Sequence, residues 1–161
     1  MGMHSSLLVH YFHTKEELIL SLVEYMMEQY QDHYLPEMAQ LIAPRDRYEY
    51  MLQALFSAEW QELTESAVYY SCFALIFRHP RIRERFQANH QVLHDFLFQE
   101  LSQAQAHGFI QVPSLEDAAH FLILLVEGLN HYDRLHQNKE MYAAQRNILY
   151  RMARNYLENG N

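Results

Sequence analysis

One pair of histidines in this chain has the spacing of metal ligands. His90 and His94 lie four residues apart in a segment that reads as helix, so their side chains share one face. No cysteine is nearby, and Asp95 belongs to a different face of that helix. Because the chain has 11 histidines, such pairs arise by chance, and we expect no metal site.

The sequence contains none of the common catalytic or phosphate-binding motifs. It has no Gly-rich phosphate loop, no G-x-S-x-G and no H-E-x-x-H. The single Cys72 lies in the apolar stretch "AVYYSCFALIF", where a thiol is usually inert. We therefore expect a protein that is not an enzyme and needs no cofactor. A metal- or haem-dependent helical enzyme that uses the histidines is a third hypothesis, behind the two given below.

Composition favours a helical globular protein. Half of the 161 residues are hydrophobic, and Gly and Pro number only four each, which suits long helices. The formal charge of −8 argues against a protein whose whole surface grips nucleic acid, but it allows a small DNA-reading module on an acidic body. The apolar run Phe121–Val126 is far too short to span a membrane, and no signal peptide is visible. We expect a cytoplasmic protein.

Capping signals and apolar spacing predict about seven helices and no strand. Thr14-x-x-Glu17 and Ser114-x-x-Asp117 are capping boxes, and Gly108 is a left-handed stop. Pro36 and Pro44 bracket a predicted connection. The predicted helices cover residues 5–11, 14–33, 44–63, 67–77, 81–107, 114–136 and 139–157.

The stretch "GMHSSLLVHYFHTKEELI" resembles the end of the DNA-binding module of TetR-family transcriptional regulators. Gly2 resembles that family's turn glycine, Ser5 to Tyr11 its recognition helix, and Tyr11-Phe12 its aromatic pair. The later segments "RHPRIRERF" and "EDAAHFLILLVEGL" follow the order of the family's body. The resemblance implies an all-α fold. It also implies a partial helix-turn-helix at 1–15 and a helical ligand-binding and dimerisation domain at 16–161.

The resemblance also implies which residues contact DNA. A recognition helix lies in the major groove, its first residues reach base edges and its end contacts phosphates. The family carries two helices before the recognition helix, and they do not precede Gly2 in this sequence. We therefore expect a truncated chain with impaired DNA binding, and an operator DNA partner only where those helices are present. The implied contacts are His4, Ser5, Ser6, His10, Tyr11 and Lys15.

Bulky apolar residues in the middle of the chain predict a pocket for a small apolar or aromatic effector. For any single one of them plain core packing is the better explanation, and that alternative stays open. The resemblance adds that such a pocket is the usual inducer site of the family. The predicted pocket residues are Met51, Leu55, Trp60, Tyr69, Tyr70, Phe73, Phe77 and Phe96.

The segment "FLILLV" is apolar almost all round, and Gly128 interrupts the same helix. A helix of this kind needs cover on more than one side, and a glycine allows another helix to approach closely. The resemblance implies a homodimer in which the last two helices of each subunit form a four-helix bundle. The alternative is that these residues only cover the monomer's own core. The predicted interface residues are Phe121, Leu125, Gly128, Leu129, Ile148, Met152 and Tyr156.

Two function hypotheses follow. The first, implied by the resemblance, is a homodimeric, ligand-responsive transcriptional repressor of the TetR type. Its effector would shift the helix at 14–33, change the spacing of two recognition helices and release DNA. The second is a dimeric small-molecule- or protein-binding module that does not bind DNA.

Overall fold

The computed structural model describes residues 11–58, 66–136 and 138–160. In these residues it is all-α, without a strand, so the predicted fold class is confirmed. No helix in these segments is long and apolar enough to cross a membrane. The predicted helix at 5–11 lies outside the described residues. The α-helices are α1 (Lys15–Gln40), α2 (Pro44–Leu55), α3 (Ser66–Phe73), α4 (Pro80–Ala106), α5 (Leu115–His136) and α6 (Lys139–Asn159).

The predicted capping signals lie where helices begin and end. The Thr14 hydroxyl accepts a hydrogen bond from the Glu17 backbone N–H at 3.1 Å and starts α1. The Glu17 carboxylate accepts from the His13 backbone N–H, one residue before the position of a standard capping box. Ser114 caps α5 in the same way, and Gly108 is left-handed (φ 72°) just after α4.

Three predicted helix boundaries are wrong. The helix predicted at 44–63 ends at Leu55. The connection predicted after Pro36 is helical, because α1 continues to Gln40. Its last turns are held by burial of Tyr34 and Met38 and by Arg47, which donates to the Met38 carbonyl oxygen at 3.0 Å. The helix predicted at 67–77 ends as α-helix at Phe73 and tightens into a 3₁₀ turn over Ala74–Phe77.

The buried side chains form two separate hydrophobic clusters. The smaller cluster joins α1 to α3 and the first turns of α4. The larger cluster joins the end of α1 to α2, α5, α6 and the second half of α4. Helices α1 and α4 are therefore the described helices that contribute to both clusters. The buried members of the smaller cluster are Ile19, Val23, Met26, Cys72, Ile82 and Phe86.

An ion pair between the partly exposed Arg47 and the buried Glu100 fixes α2 against α4. Glu100 is almost fully buried, and both its carboxylate oxygens accept hydrogen bonds from the Arg47 guanidinium. The same guanidinium binds the end of α1 through the Met38 carbonyl oxygen. Three helices thus meet at Arg47. Fork-to-fork geometry of this kind is among the stronger charge-assisted contacts in proteins.

Replacing Arg47 with alanine is expected to lower the free energy of unfolding by about 3 kcal/mol, because it leaves the Glu100 carboxylate buried without a partner. Urea unfolding followed by circular dichroism measures this. The matched control is Arg45→Ala, which removes an exposed pair with Glu49 on the same helix. That change should cost less than about 1 kcal/mol. Equal losses in the two variants would contradict the structural role given to Arg47.

Candidate functional site

A cavity of about 390 Å³ lies between the two hydrophobic clusters. Its wall is built by α1, α2, α3, α4 and α5, and both clusters contribute to it. This volume falls within the range of small-molecule pockets, about 300–1,000 Å³. A space of this size, walled by five helices, can hold a ligand of one or two aromatic rings.

Most of the cavity wall is apolar, flexible or aromatic. Methionines and tyrosines are prominent, and their side chains adapt to irregular ligands better than branched aliphatic residues do. The apolar and aromatic wall residues are Val23, Met26, Met27, Tyr34, Leu35, Met38, Tyr50, Met51, Ala54, Leu55, Tyr69, Tyr70, Phe86, Val92, Leu93, Phe96, Ile123 and Val126.

Glu127 is the polar feature of this wall that matters most for ligand chemistry. Its Oε1 lies 3.9 Å from Nε2 of His90, across the space between α5 and α4. Burial raises the pKa of the Glu127 carboxyl, and the nearby His90 opposes that rise. Burial and the Glu127 charge also raise the pKa of the Tyr70 hydroxyl, while Arg134 lowers it. These four residues share the cavity wall and set its electrostatics.

Five of the eight predicted pocket residues line this cavity: Met51, Leu55, Tyr69, Tyr70 and Phe96. Whether they bind an effector stays a prediction. Trp60 lies outside the described residues.

The other two predicted pocket residues lie elsewhere. The Phe73 ring packs edge-to-face on Phe86 in the smaller cluster, with ring centroids 5.5 Å apart. Phe77 is 80% exposed on the 3₁₀ turn. The tightened turn accounts for the position of Phe77, because the prediction assumed one continuous α-helix over 67–77.

Sequence reasoning missed the contribution of α1 and α5 to the cavity. The apolar stripe of α1 was visible as helical spacing, but nothing in the sequence said that it faced a space rather than a packed core. Glu127 stands inside an apolar helix, and an isolated carboxylate there was the available signal. The pattern could not indicate that His90 would lie opposite it.

The predicted dimer residues lie on α5 and α6, which pack against each other in antiparallel directions. At one end the rings of Phe121 and Tyr156 have centroids 4.7 Å apart. At the other end the Tyr132 hydroxyl lies 3.7 Å from the Met141 sulfur. The outer side of this pair is the α5–α6 face, made of Phe121, Leu124, Leu125, Gly128, Tyr132, Ile148, Met152 and Tyr156.

Leu129 is a correction within that prediction. It is 3% exposed and packs into the larger cluster of its own chain, so it is not available to a second subunit. Sequence reasoning overlooked Leu124, which is 71% exposed on the α5–α6 face. Because "FLILLV" is apolar at every position, its periodicity does not tell the inner residues from the outer ones.

Gly128 lies exposed on the α5–α6 face. A Cβ atom added there would meet nothing within 4 Å inside the chain. Packing within the monomer therefore does not explain the glycine.

Of the residues implied for DNA contact, the structure describes two. Tyr11 and Lys15 are exposed at the start of α1. His4, Ser5, Ser6 and His10 lie outside the described residues.

Nearby, Glu16 and Glu24 of α1 face Arg81 and Arg85 of α4, with the closer N···O distance 2.5 Å for Arg85 and Glu24. The first turns of α1 are thus attached to α4 by charge as well as by the smaller cluster.

Comparisons with known proteins agree with this fold. Residues 44–158 match the family described as the tetracyclin repressor-like C-terminal domain. No curated protein matches the sequence significantly. A TetR transcription regulator from Haloarcula marismortui has a similar structure, with TM-score 0.81 and 16% identity over 98% of this chain and 80% of that one. A TetR-family regulator from Cytophaga hutchinsonii gives TM-score 0.72 and 10% identity over 94% and 77%. At these identities the structural likeness shows the fold alone.

Replacing Glu127 with glutamine is expected to stabilise the protein at pH 7–8. Because the folded-state pKa of Glu127 is raised, its contribution to stability is greatest below the unfolded pKa of about 4.3 and falls as pH rises through the folded value. A neutral glutamine has no charge to desolvate, so the variant does not lose this stability as the pH rises. The gain should stay below about 1 kcal/mol, since the carboxylate is 40% exposed and keeps part of its hydration.

Thermal melts of the wild type and the Glu127→Gln variant between pH 4.5 and pH 8 measure this difference. The exposed Glu140→Gln on α6 is the matched control. A gain that is the same at every pH, or present in the control, would show that Glu127 does not carry the effect.

Proposed function

The chain belongs to the TetR family of transcriptional regulators, and on that premise we propose that it is a homodimeric, ligand-responsive repressor. The observation that carries the proposal is the cavity between the two clusters. Helix α1 lines this cavity, and α1 begins where the implied DNA reader, residues 1–15, ends. A ligand in that space would contact the helix that joins the reader to the body.

The proposed effector is a small apolar or aromatic molecule that carries one hydrogen-bond donor or a positive charge. The apolar wall supplies affinity through burial. The Glu127 carboxylate on that wall is partly desolvated, so a donor or cation that reaches it regains the interaction lost with water. An anionic ligand would meet repulsion from Glu127 and from Asp95, and Arg134 on the same wall would offset only part of it.

The proposed mechanism depends on the separation of the core into two hydrophobic clusters. Helix α1 is packed in the smaller cluster near its start and in the larger cluster at Met38, with cavity residues between. A ligand that fills the cavity better in one spacing of the clusters shifts the population toward that spacing. The start of α1 moves with the smaller cluster. In a dimer, this changes the distance between two readers.

We propose that the α5–α6 face is the dimer interface. Leu124 and Met152 are largely exposed, and the backbone at Gly128 leaves room for a helix to approach. Exposed apolar residues clustered on two adjacent helices are typical of a protein–protein contact. The corresponding face of a second subunit would complete a four-helix bundle.

We propose the DNA reader at residues 1–15 and the ligand-binding and dimerisation domain at 16–161. His4, Ser5 and Ser6 would reach base edges, and His10, Tyr11 and Lys15 would contact phosphates. The exposure of Tyr11 and Lys15 is compatible with this. Operator binding by this reader requires the two further helices of a complete module, which hold a recognition helix in place.

Binding of the neutral fluorescent amine N-phenylnaphthylamine tests the effector site. Its two aromatic systems fit the cavity, and its N–H can donate to Glu127. We expect saturable binding that Ala54→Phe weakens at least tenfold, a change of about 1.4 kcal/mol, because the new ring fills space beside the wall residue Ala54. The matched control is Ala106→Phe, at the exposed end of α4, with unchanged affinity.

The regulator role is tested with the protein isolated from its own source cells. Selection from a random DNA library should yield a preferred site whose affinity falls steeply with salt. The probe amine should release that site from the wild type but not from Ala54→Phe. Ligand binding and dimerisation without sequence-preferring DNA binding would contradict the repressor role and favour a binding module instead.

Leu124→Glu is expected to convert the dimer into a folded monomer. The residue is largely exposed in the single chain, so a charge there costs the monomer little but is unfavourable in an apolar interface. Sedimentation velocity measures the change, and circular dichroism verifies the helix content. The control Ile42→Glu changes an apolar residue between α1 and α2 that is even more exposed than Leu124. A dimer that survives Leu124→Glu would contradict the proposed interface.

A further inference from the structure

A buried histidine of α4 meets two exposed residues of α5 outside the cavity wall. His94 is 6% exposed, and it faces Glu116 and His120, which stand one turn apart at the start of α5. One potential ligand atom from each of these three residues lies within 4.8 Å of the other two. Across the described ranges, no other group of three or more His, Cys, Asp or Glu residues meets that geometry.

The Nε2 atom of His94 is the unusual feature of this group. It is buried, and no hydrogen-bond partner is found for it. It lies 3.5 Å from Oε1 of Glu116, which is longer than an ordinary hydrogen bond. Buried polar atoms are nearly always paired, so a lone one aimed at a carboxylate and a second imidazole points to a missing ligand.

Both imidazoles are oriented by their other ring nitrogen. Nδ1–H of His120 donates to the Glu116 carbonyl oxygen at 3.0 Å, and Nδ1–H of His94 donates to the Asp95 carboxylate at 3.4 Å. These contacts leave the lone pair of each ring on Nε2. A carbonyl or carboxylate behind an imidazole is the usual outer arrangement of histidine metal ligands, and it makes the coordinating nitrogen more basic.

We propose that His94, Glu116 and His120 bind a divalent transition-metal ion, of which Zn²⁺ is the best match. Two imidazoles and one carboxylate are a donor set that zinc accepts, whereas magnesium and calcium prefer oxygen alone. Ligands about 2.1 Å from a tetrahedral ion are separated by about 3.4 Å, close to the 3.5 Å observed between His94 and Glu116. Exposure of Glu116 and His120 leaves water access for a fourth ligand.

This site differs from the His90–His94 pair considered from the sequence. Although the two residues are one turn apart on α4, His90 faces Glu127 at the cavity, and His94 faces the start of α5. The metal would therefore bridge α4 and α5. Asp95, which lies on the cavity wall, would stand directly behind the ligand His94. The proposal does not depend on the effector or on DNA binding.

The test is zinc binding by tag-free protein stripped with a chelator, measured in competition with a chromophoric chelator. We expect one Zn²⁺ per chain, and at least a 100-fold loss of affinity in Glu116→Gln and His120→Gln, beyond the range of about 10–100-fold for loss of an outer-shell partner. Both residues are exposed, so these variants should fold. The matched control is His107→Gln, which removes an exposed histidine just after α4 whose Nδ1 also contacts the carbonyl oxygen four residues earlier.

Cobalt substitution and thermal melts distinguish a specific site at His94, Glu116 and His120 from weak binding by histidines elsewhere in the chain. The wild type and His107→Gln should show the visible absorption of tetrahedral Co²⁺ and should melt at a higher temperature with Zn²⁺ present. His120→Gln should show neither. Equal zinc affinity in the wild type and His120→Gln, or no zinc retained by the wild type, would overturn the site and leave a plain ion pair between His94 and Glu116.

Discussion

Everything in this fold depends on the fact that the hydrophobic core is divided. A small cluster and a large one are separated by a cavity of about 390 Å³, and α1 and α4 are the described helices packed in both. A void of this size between two well-packed groups costs stability that a continuous core would retain. We propose that, in return, the spacing of the two clusters responds to what fills the space between them. In this proposal the Arg47–Glu100 pair holds the helices of the larger cluster together, and the smaller cluster is the part that moves.

The charged and titratable side chains between α4 and α5 lie in two places, at the cavity wall and at the start of α5. Charge at the cavity wall is concentrated around Glu127 on α5, opposite His90 on α4. The next turn of α4 carries His94 to a different neighbour, the start of α5. One helix therefore presents one histidine to the cavity and another to the proposed metal site. Both groups of side chains lie between the same two helices, α4 and α5.

The sequence predicted the parts of the structure that depend on local interactions. Thr14, Ser114 and Gly108 mark helix ends through contacts within a few residues, and all three lie where expected. Pro36 failed as a boundary because burial of Tyr34 and Met38 outweighed a local preference. The sequence did not separate the buried Leu129 from the exposed Leu124, because a segment that is apolar at every position has no periodicity to mark its inner face. The meeting of Glu127 with His90, and of His94 with His120, depends on how distant helices pack, and no single-sequence pattern carries that information.

The most direct test of the central claim is the distance between the starts of the two α1 helices in the proposed dimer. A nitroxide on Lys15→Cys, in a chain with the buried Cys72 replaced by serine, reports this distance by pulsed electron resonance. With N-phenylnaphthylamine bound, the account predicts that the distance shifts by about 2 Å or more, and that Ala54→Phe abolishes the response. A distance that is the same with and without saturating ligand would mean that the cavity does not control α1.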